Sequence, residues 1–227
     1  MTTTGRTTIG IIGSGMIGGT VARLSVAAGH QVVLSNSRGP ETLAELAAEL
    51  GPLATAATAE QAAEAGGLVV VSIPVKAFGE VPVKPLAGKP VLDTGNYYPE
   101  RDGHIAELDT GALTSSGLLQ RYLPESHVVK VFNNIFFRHL HRLARPSGDP
   151  DRTALPIAGD DAAAKATVTA FLDSIGYDAA DAGPVAESWR QEPGTPVYGT
   201  PYGPDEDEMG TPADAAKIHV LLVGAHR

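Results

Sequence analysis

Two hydrophobic rhythms alternate along the chain: short β-branched runs, each closed by a turn, and segments whose apolar residues recur every three or four positions. The run Thr8-Ile9-Gly10-Ile11-Ile12 predicts a strand and Gly13-Ser14-Gly15 its turn. Behind it Ile17, Val21, Leu24 and Ala28 share one face of a predicted helix, which Gly29 stops. A second strand is predicted over 31–35, then a helix over 41–50 with Leu43, Leu46, Ala47 and Leu50 on one side and Gly51-Pro52 at its end. A short strand at 53–55 and an alanine-rich helix over 58–65 precede the run Leu68-Val69-Val70-Val71-Ser72-Ile73. That run is apolar at consecutive positions, as a parallel strand covered by helices on both faces should be, so it belongs in the middle of a sheet. Further strands are predicted at 90–93, 128–132 and 154–158, with a helix over 161–175 carrying Ala164, Val168, Phe171, Leu172 and Ile175. This alternation predicts an α/β fold, an open, doubly wound, mostly parallel sheet with helices on both faces.

From Pro184 the texture changes. Prolines at 193, 196, 201, 204 and 212 interrupt a segment rich in Gly, Thr and acids, and a last amphipathic helix over 213–225 would bury Ile218, Leu221, Leu222 and Ala225. Residues 1–183 are therefore expected to form one domain, and 184–227 a Pro-rich loop and C-terminal helix docking on that domain or on a partner subunit. The stretch Asp205-Glu206-Asp207-Glu208 reads as a solvated acidic loop rather than a metal site.

Composition narrows the function. With 227 residues, 43% of them hydrophobic, the chain suffices for one compact domain and a small appendage. The N-terminus Met1 to Arg6 is polar and lacks a leader pattern, and no run is long enough to span a bilayer, so a cytoplasmic protein without membrane contact is expected. The 17 Lys and Arg against 26 Asp and Glu, a net charge of −9, with no basic cluster, disfavour nucleic acid. The absence of cysteine excludes disulfides, thiol catalysis, iron–sulfur clusters and thiolate zinc sites, so any redox chemistry must come from a bound organic cofactor. His139 and His141, two positions apart, face different ways on a helix and are read as surface residues; no metal is expected.

The strongest chemical signal is Gly13-Ser14-Gly15-Met16-Ile17-Gly18, a G-x-G-x-x-G between a strand and a helix. Gly13 permits the tight turn, Gly15 lets a diphosphate approach the main chain, and Gly18 allows close helix–strand contact, while the helix N-terminus supplies free N–H groups. An NAD site usually presents an acid after the second strand. Here Ser35-Asn36-Ser37-Arg38 stands there instead, and Arg38 with Ser37 suits a 2′-phosphate, predicting NADPH over NADH. Position alone nominates Ser72, Ile73, Pro74 and Lys76 at the end of the central strand, Asp93 to Tyr98 after the next, and Asn133-Asn134 after the one beyond. Pro74 either lines the cofactor or simply ends its strand. Asn133 and Asn134 either bind a nicotinamide carboxamide or a polar ring, or cap a following helix. Lys130, within an apolar strand, either faces outward at an edge or is paired, and Trp189 is a candidate lid or a packing anchor. No tyrosine is followed four residues later by lysine, which rules out the short-chain dehydrogenase pair, and there is no G-x-S-x-G elbow.

Taken in order, Ile9 to Gly18, Val33 to Arg38, Ser72-Ile73-Pro74 and Lys130 to Asn134 resemble the NADPH-dependent coenzyme F420 reductase family, also called F420-dependent NADP oxidoreductase, over approximately residues 8–183. The resemblance implies a Rossmann-type NADP(H) domain with the pyrophosphate on Ser14 to Ile17, the 2′-phosphate on Ser37 and Arg38, and the nicotinamide near Ile73, Pro74 and Asn133. It also implies direct hydride transfer to a stacked deazaflavin, which requires no acid or base residue. The acceptor-pocket candidates are Pro74, Asn133, Asn134 and Trp189. Asn36, Asn134, the 93–98 stretch and the Pro-rich tail depart from the pattern and look like a bacterial subgroup, for which a flavin, a quinone or an imine is an alternative acceptor. A redox sensor that binds NADPH without turnover is the competing class. Relatives with a large helical second domain, such as β-hydroxyacid dehydrogenases and imine reductases, do not fit the length. A homodimer is expected, the tail of one subunit closing the other's pocket.

Overall fold

The computed structural model describes residues 7–227; the polar N-terminus read above, residues 1–6, lies outside the described residues. The first half runs β1 Thr8–Ile12, α1 Met16–Ala27, β2 Gln31–Ser35, α2 Ala44–Leu50, β3 Ala54–Ala56, α3 Ala59–Ala65, β4 Leu68–Val71 and β5 Pro90–Asp93. The second half runs α4 Pro99–Asp102, α5 Ala106–Asp109, α6 Ser115–Tyr122, β6 His127–Lys130, α7 Phe137–Arg142, β7 Ala154–Gly159, α8 Ala162–Ser174, β8 Asp178–Asp181 and α9 Ala215–Val223. The eight strands form one sheet in the order β3-β2-β1-β4-β5-β6-β7-β8. β1 to β6 are parallel, β7 runs antiparallel to β6, and β8 is parallel to β7. The strand order reverses between β1 and β4, both wholly or nearly wholly buried, so the ligand crevice of an open α/β sheet must lie outside their carboxyl ends.

Local chemistry explains most boundaries. Thr58 caps α3 through a reciprocal box with Gln61, and Asp161 and Asp214 accept the Ala164 and Lys217 N–H groups to start α8 and α9. The helix expected over 41–50 begins as a 3-10 turn at Pro40–Leu43, because Pro40 follows Gly39 at φ 104° and tightens the entry. The central strand ends at Val71 and β6 at Lys130, two residues earlier than the apolar runs suggest. β8 was not foreseen: its sequence Asp-Ala-Ala-Asp carries no apolar run, and it forms because an edge strand needs only one covered face. α4, α5 and α6 were likewise not singled out.

The tail docks on its own chain. α9 lies against β7 and β8, burying Ile218, Leu222 and Ala225, with Leu221 half-covered. Val197, Tyr202, Ile218 and Leu222 belong to the same core cluster as Ile9, Leu34 and Leu155. The apolar stripe of the tail is covered by its own sheet. The surface placement expected of His139 is corrected, for it is buried, edge-on to Phe136, and its Nε2 meets the Asp207 carbonyl. His141 is exposed, as expected. Among the described residues no helix is long and apolar enough to cross a membrane, and no group of three His, Asp or Glu is gathered as for a metal ion.

Candidate active site

The Gly13–Gly18 loop turns from β1 into α1 at the switch point. Gly13 has φ 97°, and a Cβ there would lie 2.2 Å from the Ser72 carbonyl oxygen, so no other residue fits. Its N–H and that of Ser14 both donate to the Ser35 carbonyl, at 3.0 and 3.1 Å, and the Ser14 hydroxyl donates to the same oxygen. Ser14 therefore faces β2, and its donors are committed within the chain. The free groups are those of the helix start: no side chain caps α1, and the Met16 and Ile17 N–H groups have no partner among the described residues. Next to them a Cβ on Gly15 would meet nothing within 4 Å. Bare N–H groups beside an open cradle at a helix N-terminus fit a diphosphate in charge, donor set and space.

At the end of β2, Asn36 organises the turn. Its Oδ1 accepts the Arg38 N–H at 2.9 Å and its Nδ2 donates to Thr42 Oγ1. Ser37 and Arg38 are exposed, and among the described residues the Arg38 guanidinium has no hydrogen-bond or ion-pair partner. A cation at the end of β2, the strand beside β1 and its glycine loop, suits an extra phosphoryl group on an adenosine ribose, and residues 35–38 hold no acid to repel it.

A cleft of about 460 Å³ continues from this loop across the carboxyl ends of β4, β5 and β6. Gly15, Met16 and Ile17, then Ser72, Ile73 and Pro74, then Thr94, Gly95 and Asn96 line it in turn, with Asn133 and Asn134 on the far side. The sequence candidates at these strand ends are thus gathered in one place. Lys76 is not: its side chain is exposed and outside the cleft, and its N–H faces Asp102 at 3.5 Å. Trp189 is also outside. It is half-buried between the guanidinium groups of Arg190 and Arg227, at 4.6 and 5.0 Å from the ring centre, the arrangement of a packing anchor rather than a lid.

Asn133 and Asn134 do not cap α7, whose N-cap is Phe136. They tie the tail to the sheet instead. Asn133 Nδ2 donates to Asn96 Oδ1 at 2.9 Å and to the Gln191 carbonyl at 2.6 Å, and Asn134 Nδ2 donates to the Val197 carbonyl at 2.9 Å. Both Oδ1 atoms are buried without a partner. Phe132, just before them, is the one described non-glycine residue with positive φ, 65°, a strained conformation that turns the chain out of β6 toward the cleft. Lys130 resolves as paired: it is buried, donates to the Gly95 carbonyl and Ser115 Oγ at 2.8 and 2.7 Å, and lies 3.7 Å from the buried Asp93.

Several lining residues were not reached by sequence reasoning. Tyr198, Gly199 and Asp205 come from the tail, Phe136 and Phe137 from the start of α7, and Arg101 from α4. Tyr98, inside the nominated 93–98 stretch, shares a short hydrogen bond with Tyr198. Burial first, and then the Tyr98 hydroxyl and the Asp205 charge, push the Tyr198 phenol far above its ordinary value; Arg101 opposes them. Burial also acts to raise Asp102, but hydrogen bonds from Arg101, Tyr98 N–H and Lys76 N–H, together with the Arg101 charge, prevail and hold its carboxyl below the usual range. No spacing rule joins Tyr98 to a partner 100 residues away.

With this geometry in view, comparison with known proteins is informative. Residues 8–97 match the family model of the coenzyme F420-dependent NADP oxidoreductases. The match covers the glycine loop, the Ser–Arg turn and the ends of β4 and β5, and bears out the resemblance read from those motifs. The Escherichia coli K12 protein YjhV is 42% identical over 53 residues, 23% of this chain; the match spans 39% of that curated relative's length. Among solved structures, a hypothetical protein from Sinorhizobium meliloti has a TM-score of 0.75 and 25% identity, covering 92% of this chain and 96% of its own. A candidate F420-dependent NADP-reductase from Arthrobacter sp. FB24 has a TM-score of 0.66 and 26% identity over 79% of this chain and 86% of its own. A reductive aminase from Aspergillus terreus, solved with NADPH and ethyl levulinate, shares the fold alone at 17% identity and TM-score 0.56; the chain covers 60% of its length. The matched family model and the Arthrobacter neighbour both carry NADP-linked oxidoreduction in their names, and the match lies on the half of this chain that holds the glycine loop.

Proposed function

We propose that the protein transfers a hydride between NADP(H) and a ring-shaped acceptor, with the deazaflavin coenzyme F420 as the leading choice. The observation that carries this reading is the continuity of the cleft: it begins at the uncapped start of α1 and ends in a pocket walled by Pro74, Asn96, Asn133 and Tyr198. A sensor that only binds a dinucleotide needs no second pocket, and an open one beyond the glycine loop favours turnover. The main chain at Gly15, Met16 and Ile17 would hold the diphosphate, Ser37 and Arg38 the 2′-phosphate, and Ile73, Pro74 and Asn133 the nicotinamide end. The bound dinucleotide supplies the two-electron hydride chemistry. The chain's own residues orient the two rings and exclude water between them.

The matched family and the Arthrobacter neighbour carry F420 in their names, and the Aspergillus neighbour binds NADPH. The test is calorimetric titration with NADPH and NADH, followed by NADPH oxidation with coenzyme F420, riboflavin phosphate and menadione. Tight NADPH binding and oxidation dependent on F420 are expected; NADPH binding without turnover on any acceptor would replace this reading with the sensor. We further propose a cytoplasmic homodimer. Sedimentation measures its assembly, and a monomer would remove that part, which the chemistry does not need because the tail lining the cleft is the chain's own.

A further inference from the structure

The cleft holds two phenols whose placement hydride transfer alone does not explain. Tyr98 follows β5 and Tyr198 lies in the Pro-rich tail; both line the cleft, and their hydroxyls bond to each other. Two paired hydroxyls carry two protons, and only one of them bridges the pair. Asn96 Nδ2 approaches the Tyr198 oxygen at 3.5 Å, while Asn96 is itself fixed by a reciprocal amide pair: its Nδ2 donates to the Asn133 carbonyl at 2.7 Å and its Oδ1 accepts from Asn133 Nδ2 at 2.9 Å. Either hydroxyl can donate in this pair; with Tyr98 as the donor, the Tyr198 proton has no acceptor among the described residues and is free for a group in the cleft.

We propose that Tyr198 is a catalytic proton donor, positioned by Tyr98 and Asn96, so that the protein reduces acceptors whose reacting bond joins carbon to oxygen or nitrogen: a carbonyl or an imine. This rests on the oxidoreductase reading and extends its substrate class beyond the deazaflavin. The balance is simple. The reduced nicotinamide, as reductant, gives a hydride to the acceptor carbon; the π pair moves to oxygen or nitrogen; that atom takes the Tyr198 proton, and the phenolate regains a proton from solvent through the open cleft. The acceptor is reduced by two electrons and the nicotinamide is oxidised by two.

The surroundings suit both forms of the phenol. Before transfer, burial keeps the Tyr198 proton in place. After it, the phenolate faces the Asn96 amide and the Tyr98 hydroxyl, with the Arg101 guanidinium 5.0 Å over the Tyr98 ring. An alkoxide or an amide anion is more basic than this phenolate, so transfer runs toward the acceptor.

The test compares an acceptor that needs the phenol proton with acceptors that do not. Wild type, Tyr198→Phe and Tyr98→Phe are loaded with NADPH and mixed with coenzyme F420, with trifluoroacetophenone, and with the N-methylacridinium cation, which takes a hydride at carbon and no proton. The ratio of the ketone rate to the acridinium rate should fall about 10²-fold or more in Tyr198→Phe and less in Tyr98→Phe, while the F420 rate, whose reduced ring needs no phenol proton, should follow the acridinium rate. A readout independent of turnover is the carbonyl stretch of acetophenone bound to the NADP⁺-loaded protein. It should shift to lower frequency in wild type, and the shift should be lost in Tyr198→Phe. An unchanged ratio, a fall shared equally by all acceptors, or no carbonyl shift in wild type would overturn proton donation while leaving the oxidoreductase reading intact. Wild type that oxidises NADPH with none of the three acceptors would overturn both.

Discussion

Replacing Gly15 with alanine separates the fold from the site. Gly15 is extended, at φ −80° and ψ −152°, and an added Cβ meets no atom within 4 Å, so the chain accommodates a methyl group. Losing glycine's freedom in the unfolded chain stabilises and losing a good N-cap destabilises, each by about 1 kcal/mol or less, so the net change should lie within about 1 kcal/mol. The space the methyl enters is the one a diphosphate must occupy to reach the Met16 and Ile17 N–H groups. Carbon and phosphate oxygen need about 3.5 Å between them, which lifts the anion off at least one of those donors. One lost charge-assisted hydrogen bond is worth about 1.5–3 kcal/mol, so NADPH should bind roughly ten- to 150-fold more weakly. Calorimetry gives the affinity and thermal unfolding the stability. Gly13→Ala is the contrast: positive φ and a 2.2 Å clash with the Ser72 carbonyl predict a loss of stability before any loss of binding. A Gly15→Ala protein that binds NADPH like wild type would refute the reasoning about the cradle, and one that melts far below wild type would refute the reasoning about the space.

Other expectations follow from the same geometry. Arg38→Ala should weaken NADPH by about tenfold or more in a calorimetric titration and leave NADH unchanged, because the guanidinium has no partner among the described residues; equal losses for both would argue against a 2′-phosphate contact. Lys130→Met leaves Asp93 buried without its cation and should cost about 3–5 kcal/mol in denaturant unfolding, whereas a loss below about 1 kcal/mol would mean that Ser116 and the Gly95 N–H suffice for that carboxylate. The Asp102 carboxyl sits below its ordinary range in the folded protein, so its contribution is present above the unfolded pKa of about 3.9 and is lost as pH falls through the folded value. The stability gap between wild type and Asp102→Asn should therefore shrink with acidification below about pH 4. A chain ending at Gly183 removes Val197, Tyr202, Ile218 and Leu222 from the core. At about 1.5–3 kcal/mol each, that burial rivals the whole stability of a domain, and circular dichroism should show the truncated chain unfolded.

How much of this was legible in advance differs by region. From Thr8 to Asp93 each strand announces itself by a β-branched or consecutive apolar run and each helix by a one-sided repeat or a capping pair such as Thr58 and Gln61, because these signals are local in chain and in space. The glycine loop is equally local, and the shape of its turn follows from residue type alone. Between residues 99 and 122 the helices are short and mostly polar, and at β8 two aspartates conceal an edge strand, so periodicity is silent there.

What the sequence determined by itself is the alternating α/β order, the glycine loop between β1 and α1, and an arginine rather than an acid after β2. What only the tertiary structure decided is which groups meet across the cleft. Tyr198, Asn133 and Asn96 are drawn together by a tail folding back over the carboxyl end of the sheet, and Ser14 is turned toward β2 by the Ser35 carbonyl. The reason is physical: hydrophobic periodicity reports which face of an element is covered, whereas a hydrogen bond between distant segments depends on how the covered faces stack, and one chain position carries no record of the other.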